Sequence, residues 1–346
     1  MKSSLSRGLL RIAALAALVF FAAGCGEEKA PQPGKTAAKP SVGVLLYRED
    51  DVYISMVSKA LAAELEGKAD FVIQAAGNNQ LTQNDQLDAL LAKKVSVLAL
   101  NLVDTQAASF VLDKVEKAGI PVIFFNREPD LDSIKSHARA CYVGTVPSDA
   151  GKMQGDIIKQ LWDAHPEYDR NKDGQFQYIM IQANADNPES VARTEYSVRQ
   201  ARERGVNMRQ LGETLLCEWN EAQTLTAMRL ALGSRLDAVE LVIANNDAMA
   251  LGAIAALAEQ GFNTGGEPAK FIPVIGVDAV PSAMEAIRKG VMSATVKQDD
   301  KLMAQTIAAL ILNAAHGKNF LEGTMLTWDA SGIAVRLPYF PYTGTR

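Results

Sequence analysis

From Ser41 onward, short apolar runs alternate with longer amphipathic stretches. The runs are rich in β-branched residues and apolar without alternation, which is typical of strands buried on both faces of a parallel sheet. They include VGVLLY (42–47), VSVLALN (95–101), PVIFFN (121–126), YIMIQA (178–183), LVIAN (241–245) and FIPVIGVD (271–278). One open sheet of so many strands is less favourable than two smaller ones, so the pattern predicts an α/β fold with two doubly wound lobes and a cleft between them.

Polar residues directly follow several predicted strands. Ligands of doubly wound sheets lie beyond the carboxyl ends of the strands, so these residues are candidates for a polar ligand site. Each of them also fits helix capping, a role for which Asn and Asp are favoured. Their number favours a shared site. They are Asp50, Asp51, Asn101, Asn126, Asn245 to Asp247 and Asp278.

The first residues have a different pattern, in which basic residues precede an apolar stretch over 12–23 and Cys25 follows. This predicts a lipoprotein signal peptide over 1–24, with cleavage before Cys25 and lipidation of that cysteine. The alternative is an ordinary leader that happens to contain a cysteine. Residues 25–40 have the composition of a flexible tether, so we expect an extracytoplasmic protein held to the membrane by a lipid anchor only.

Composition and motifs exclude several functions. The 346 residues carry a formal net charge of -5, which argues against nucleic-acid binding. The three histidines lie far apart and no HExxH, GxSxG or phosphate-loop motif is present, so the chain is not predicted to be an enzyme. A glycosidase-like carboxylate pair is the remaining enzymatic alternative. The pairing state of Cys141 and Cys217 is left open.

A calcium-loop pattern occupies residues 169–177. Oxygen-bearing side chains stand at loop positions 1, 3, 5 and 9, with Gly174 at position 6, as in an EF-hand loop. The bidentate Glu expected at position 12 is replaced by Met180, so a Ca²⁺ site requires a carboxylate from elsewhere in the chain. The alternative is a plain turn before a strand.

Trp219 lies in the polar stretch CEWN, where packing alone does not demand a large ring. An aromatic face stacks on the apolar face of a sugar, and Asp, Asn and Arg bind its hydroxyls. The alternative is a residue of a small satellite core.

Taken together, these residues resemble the periplasmic galactose/glucose-binding proteins that serve ABC sugar transporters and chemotaxis. The resemblance covers 41 to about 340 and rests on six blocks in family order. The blocks are QNDQLDALLAKKV (83–95), ALNLVD (99–104), PVIFFNREP (121–129), NKDGQ (171–175), VIANNDAMA (242–250) and GVDAVP (276–281).

The resemblance implies two Rossmann-like lobes joined by three crossings, as in a type I periplasmic binding protein. It places 41–126 and 298–333 in the N-terminal lobe and 127–297 and 334–346 in the C-terminal lobe. The sugar-binding residues that it implies are Asp51, Tyr53, Asn101, Asn187, Glu189, Arg193, Trp219, Asn246, Asp278 and Gln298. Among these, Tyr53 stands where the family usually has Phe, Asn187 where it has His, Glu189 where it has Asp, and Gln298 where it has Asn.

The same resemblance implies a structural Ca²⁺ held by Asp169, Asn171, Asp173, Gln175, Gln177 and Glu240, with Glu240 as the missing carboxylate. It also implies capture of D-glucose or D-galactose for delivery to an ABC permease. One alternative is a sensor of a sugar or other signal that feeds a chemoreceptor or sensor kinase. A less favoured alternative is an enzyme acting on a glycoside, for which Glu189 is the candidate carboxylate.

Overall fold

The computed structural model describes residues 38–233 and 235–344. The predicted signal peptide, Cys25 and most of the tether lie outside these residues. The helices are α1 (Val52–Leu65), α2 (Gln80–Ala92), α3 (Ala108–Ala118), α4 (Leu131–Lys135), α5 (Pro147–Ala164), α6 (Pro188–Glu203), α7 (Glu221–Leu232), α8 (Asp247–Glu259), α9 (Pro281–Arg288) and α10 (Asp300–Ala315). The strands are β1 (Ser41–Leu46), β2 (Asp70–Ala75), β3 (Val97–Leu100), β4 (Val122–Phe125), β5 (Ala140–Gly144), β6 (Phe176–Gln182), β7 (Met208–Gln210), β8 (Leu215–Leu216), β9 (Leu241–Ala244), β10 (Val274–Asp278), β11 (Ala294–Gln298), β12 (Ala334–Arg336) and β13 (Tyr339–Tyr342).

These strands form two sheets, each of which is the centre of one lobe. The first sheet has the order β12-β5-β4-β3-β1-β2, and its strands run parallel. The second has the order β13-β11-β10-β9-β6-β7, with β8 also paired to β6. Its strands run parallel except β13, which is antiparallel to β11. The predicted two-lobed α/β fold is therefore confirmed.

Both faces of each sheet are buried, as the apolar runs predict. In β1, Val44 enters a core shared with α1 and α10, whereas Leu45 enters a second core on the opposite face, shared with α2 and α3. In β6, Ile179 and Met180 divide in the same way between the core of α7 to α9 and that of α5 and α6. Full burial of one such side chain stabilises the fold by about 1.5–3 kcal/mol, so these cores hold the strand ends in fixed positions.

Helix α6 lies unusually close to α5 because two glycines of α5 face it. A Cβ atom added at Gly151 lies 2.9 Å from the Cβ of Tyr196, and one added at Gly155 lies 2.5 Å from the Cβ of Gln200. Contacts that short do not occur between real side chains, so a larger residue at either position forces the helices apart. This close approach sets the position of α6 over the second sheet.

The predicted lobe boundaries need a correction. Strand β5 pairs with β4, and β12 pairs with β5, so both belong to the first sheet. The N-terminal lobe therefore continues past residue 126 to Gly144, and it also includes residues 334–336. The chain crosses between the lobes after Gly144, after Gln298 and after Arg336. The wrong boundaries came from the family resemblance, and an apolar run in the sequence does not correct them, because it predicts a strand without saying which sheet the strand joins.

In the part of the chain that the structure describes, none of the helices combines the length and the apolar character needed to span a membrane.

Candidate functional site

A cavity of about 30 Å³ lies between the two lobes. Both sheets contribute to it from the loops and helix starts that follow their strands, as the strand-end pattern predicts. Eight of the ten predicted sugar-binding residues line it. The lining residues are Tyr47, Asp51, Tyr53, Ile54, Asn126 and Arg127 before the first crossing, and Glu189, Arg193, Trp219, Asn246, Asp278 and Gln298 after it.

Asp51 and Asn246 both cap a helix and line the cavity. Oδ1 of Asp51 accepts a hydrogen bond from the backbone N–H of Ile54 at 3.0 Å, and its other oxygen accepts from the hydroxyl of Tyr47. Oδ1 of Asn246 accepts from the backbone N–H of Met249 at 3.0 Å, leaving its amide nitrogen to donate elsewhere. The capping and ligand-site interpretations are therefore compatible at these positions.

Asp278 is presented to the cavity by a strained turn. Asp278 and Ala279 have φ angles of +117° and +57°, which side-chain-bearing residues rarely adopt. Asp247 braces the turn, since Oδ2 accepts from the backbone N–H of Val280 at 2.9 Å and Oδ1 from Oγ1 of Thr295 at 2.6 Å. Backbone strain at a braced turn is typical of functional sites.

Burial dominates the electrostatics of the cavity. It raises the pKa of Asp278 well above its usual value, although the nearby Arg193 lowers it. Burial likewise raises the pKa of Glu189, with Arg193 and then Arg127 opposing. Both carboxyl groups have lost their water, so hydrogen-bond donors from a ligand stabilise their charged forms.

Arg193 of α6 is the most highly connected side chain of the cavity and is 2% exposed. Its Nη1 donates to the carbonyl oxygen of Asn245 at 3.0 Å and lies 4.0 Å from Oδ1 of Asp278. Its Nη2 donates to Oε1 of Gln298 at 2.9 Å and to the hydroxyl of Tyr339 at 3.0 Å. A guanidinium with this many acceptors is held in one orientation.

Four buried polar atoms of the lining residues have no hydrogen-bond partner within the described residues. They are the Tyr53 hydroxyl, Oε1 of Glu189, Nε of Arg193 and Nε2 of Gln298. An unsatisfied buried polar atom costs about 1–3 kcal/mol, so four of them around one cavity are a substantial cost without a ligand. Because they include donors, an acceptor and a hydroxyl, they fit a ligand that has both donors and acceptors.

Two predicted sugar-binding residues do not line this cavity. Asn101 is fully buried behind it, where Nδ2 donates to the carbonyl oxygen of Phe125 and to Oδ1 of Asn126, both at 3.2 Å. Asn187 caps α6, its Oδ1 accepting from the backbone N–H of Ser190 at 2.9 Å, and lines an outer cavity of about 190 Å³. Asn187 therefore serves as a helix cap in the structure, and the amide of Asn101 serves to orient Asn126.

Three residues that line the cavity, Tyr47, Ile54 and Arg127, are not among those predicted from the sequence. The guanidinium of Arg127 stacks on the Tyr47 ring, 3.9 Å from its centroid, and Nη1 donates to the carbonyl oxygen of Val103 at 2.5 Å. Tyr47 is the last residue of the apolar run VGVLLY, where a core position is expected. Arg127 comes directly after the run PVIFFN, whose last residue is Asn126. Tyr47 directly follows β1 and Arg127 lies two residues after β4, so proximity to a strand end was the available signal for both.

The calcium-loop residues and Glu240 come together in the structure. Glu240 is 1% exposed, with Oε1 accepting from the backbone N–H of Arg170 at 2.8 Å and Oε2 from that of Gln177 at 3.0 Å. The N–H of Asp173 donates to Oδ1 of Asp169 at 3.1 Å and to Oδ1 of Asn171 at 3.0 Å. Across residues 38–233 and 235–344, no three His, Cys, Asp or Glu side chains cluster as a metal site. The loop's donors are instead mixed carboxylate and amide oxygens, a set that suits Ca²⁺.

Cys141 and Cys217 are free and buried. Cys141 lies in β5 of the first sheet, and Cys217 follows β8 of the second lobe. Burial raises the pKa of both thiols. The question that the sequence left open is therefore answered in favour of two free thiols.

The fold and cavity define a class of two-lobed proteins that enclose a small polar ligand. The chain belongs to the periplasmic binding protein family, whose domain model matches residues 42–319. It is 36% identical over 330 residues to the D-galactose/methyl-galactoside binding periplasmic protein MglB of Haemophilus influenzae, covering 94% of this chain and 95% of that protein. It is 25% identical to the D-xylose-binding periplasmic protein of Escherichia coli, covering 78% of this chain and 76% of that one.

Solved structures agree on the fold. An ABC transporter solute binding protein from Bacillus halodurans with bound myo-inositol superposes with a TM-score of 0.73 at 23% identity, covering 90% of this chain and 96% of that one. A periplasmic solute binding protein from Actinobacillus succinogenes with bound D-allose superposes with a TM-score of 0.74 at 18% identity, covering 88% of this chain and 98% of that one. The family consists of solute-binding proteins rather than enzymes and acts outside the cytoplasm. The prediction that the chain is not an enzyme is thereby confirmed.

Proposed function

We propose that this protein is an extracytoplasmic receptor that encloses one molecule of D-glucose or D-galactose between its lobes and presents it to an ABC permease. The observation that carries the proposal is the set of four unpartnered polar atoms around one cavity, lined also by Asp51, Asp278 and Trp219. A hexose supplies hydroxyl donors and acceptors to these groups and an apolar face to the ring.

Similarity to relatives supports the choice of ligand class. The relative from Haemophilus influenzae is named for galactose and methyl-galactoside, and other relatives are named for xylose and ribose. Glu189 and Gln298 line the cavity and depart from the galactose/glucose pattern, and hydroxyl recognition depends on reach. The discriminating experiment is isothermal titration of the purified protein with D-glucose, D-galactose, D-xylose, D-ribose and myo-inositol. Tightest binding to glucose or galactose supports the proposal, and tightest binding to another ligand of the panel refutes the hexose assignment.

Closure of the lobes is the signal that this receptor delivers. A ligand that bonds to both lobes stabilises the arrangement in which both sets of bonds exist, so binding shifts the equilibrium between arrangements. Delivery to a chemoreceptor or sensor kinase uses the same closure. Loss of sugar uptake on deletion of the gene favours the permease, whereas unchanged uptake with lost taxis or signalling favours the sensor.

Two further elements complete the proposal. Cys25 carries the lipid anchor, which mass spectrometry of the mature N-terminus tests directly: an acylated Cys25 is expected, and an unmodified terminus contradicts the anchor.

The loop of Asp169, Asn171, Asp173, Gln175 and Gln177 holds a structural Ca²⁺ together with Glu240. The mixed carboxylate and amide donors, and the burial of Glu240 against the loop backbone, support that assignment.

A further inference from the structure

Residues from all three interlobe crossings are linked to one side chain. Thr145 follows β5 in the first crossing, Gln298 ends β11 at the second, and Tyr339 begins β13 after the third. Nη2 of Arg193 donates to both Oε1 of Gln298, at 2.9 Å, and the Tyr339 hydroxyl, at 3.0 Å. That hydroxyl lies 2.7 Å from Oγ1 of Thr145. Each of the four side chains is buried.

The chemistry of the groups fixes the direction of the two bonds from Arg193. A guanidinium can only donate, so the Tyr339 oxygen accepts from Arg193, whereas either hydroxyl can be the donor between Tyr339 and Thr145. For the same reason Gln298 turns its oxygen toward Arg193. Its Nε2 is then left as a donor, and that atom is one of the unpartnered ones in the cavity wall.

Two donors offered to the ligand therefore depend on this network. Nε of Arg193 and Nε2 of Gln298 line the cavity without partners, and the bonds on the far side of both groups fix their orientation. Rotation of the lobes is absorbed at the crossings, so a different lobe arrangement changes the separations of Thr145, Gln298 and Tyr339. The orientation of the donors and the arrangement of the crossings are thus coupled.

We propose that Tyr339 is a positioning residue of the ligand site: its hydroxyl, held between Arg193 and Thr145, aims the Arg193 donor at the ligand and ties that contact to the closed arrangement of the crossings. Tyr339 does not line the cavity. The inference rests on the proposed function, because it concerns the same site. It adds a residue to that site that contributes to affinity without touching the ligand.

The test compares Tyr339→Phe with Tyr342→Phe, a matched change on the same strand. Affinity is measured by isothermal titration with the sugar that the unmodified protein binds best, and dissociation by stopped-flow fluorescence. We expect Tyr339→Phe to bind about tenfold more weakly, mainly through faster dissociation, because one hydrogen bond to a charged donor is lost. Tyr342→Phe is expected to retain the original affinity and rate.

Each other outcome is informative. Unchanged affinity and dissociation in Tyr339→Phe overturn the proposal, and so does an equal loss in both variants, since that indicates a general effect on the strand. If Tyr339→Phe does not fold, Thr145→Val keeps the phenol and removes its hydrogen-bond partner; a measurable loss of affinity of less than about tenfold supports the proposal, and no loss contradicts it. Failure of the unmodified protein to bind any sugar refutes the proposed function, before any variant is compared.

Discussion

Arg48 of the first lobe donates a hydrogen bond from Nη1 to the backbone carbonyl oxygen of Glu218 in the second lobe, at 3.3 Å. Its Nε lies 3.1 Å from Oδ1 of Asp50, which directs the guanidinium. Glu218 and Trp219 have φ angles of +47° and +61°, so a strained turn presents both the carbonyl to Arg48 and the indole to the cavity. The bond joins the lobes beside the cavity that Trp219 lines.

Substitution Arg48→Ala should weaken sugar binding about fivefold, because a part-buried hydrogen bond contributes about 1 kcal/mol to the closed state. Isothermal titration checks the value. Arg139→Ala is the matched control, since Nη1 of Arg139 also donates to a backbone carbonyl, that of Gly119, but within one lobe. Equal affinity of the two variants contradicts a role for the interlobe bond.

Substitution Trp219→Ala should weaken sugar binding by about 2 kcal/mol or more, roughly thirtyfold, because the ring provides the apolar surface on which a pyranose stacks. Trp328→Ala is the control, since the Trp328 ring packs on Phe320 rather than lining the cavity. Calorimetry with both variants gives the comparison. Retention of full affinity by Trp219→Ala excludes the indole as a stacking face for the sugar.

Stability should depend on pH through Asp247. Burial raises the pKa of Asp247 from 3.8 to about 7, against opposing hydrogen bonds from Thr295 and the backbone of Val280 and Ala279. Between those values the folded protein binds more protons than the unfolded chain, so the free energy of unfolding falls as the pH rises through that interval. The contribution of Asp247 to stability is complete below pH 3.8 and is lost as the pH passes about 7.

The variant Asp247→Asn keeps an acceptor for the turn but cannot ionise. Denaturant unfolding at pH 5 and pH 8 should therefore show a smaller loss of stability in the variant than in the unmodified protein, by on the order of 2 kcal/mol. If the free energy of unfolding changes equally with pH in the two proteins, Asp247 is excluded as the source of the pH dependence.

Calcium should raise the melting temperature, because an ion that binds only the folded state stabilises it by mass action. Glu240→Gln should abolish the difference between melts with added Ca²⁺ and with chelator, since it removes the buried carboxylate at the loop. Lys172→Ala, a change of an exposed loop residue that contributes no oxygen ligand through its side chain, should preserve it. The absence of any shift in the unmodified protein refutes the metal site.

The sequence predicts much of this architecture for simple physical reasons. Runs such as VGVLLY are buried on both faces, and the polar residue after each strand is carried to the cleft by the parallel direction of the strands. This is why Asp51, Asn246 and Asp278 could be placed. Arg193 and Glu189 lie in a polar helix start without such a signal, and the family resemblance supplied them.

The remaining differences come from tertiary contacts. Asn101 follows a strand as Asp51 does, but bonds from Tyr47 and to Asn126 draw its amide behind the cavity wall. The sheet that β5 joins depends on pairing with β4 and β12, which are far apart in the chain. The Arg193–Tyr339 bond joins residues 146 positions apart, and no local pattern in the sequence indicates it.

The decisive measurement is a crystal structure of the protein with D-galactose or D-glucose, whichever binds more tightly. We expect one sugar in the interlobe cavity, its ring beside Trp219 and its hydroxyls within hydrogen-bond distance of Asp51 from one lobe and of Arg193 and Asp278 from the other. A sugar bound to residues of a single lobe, or outside this cavity, contradicts the proposed binding site.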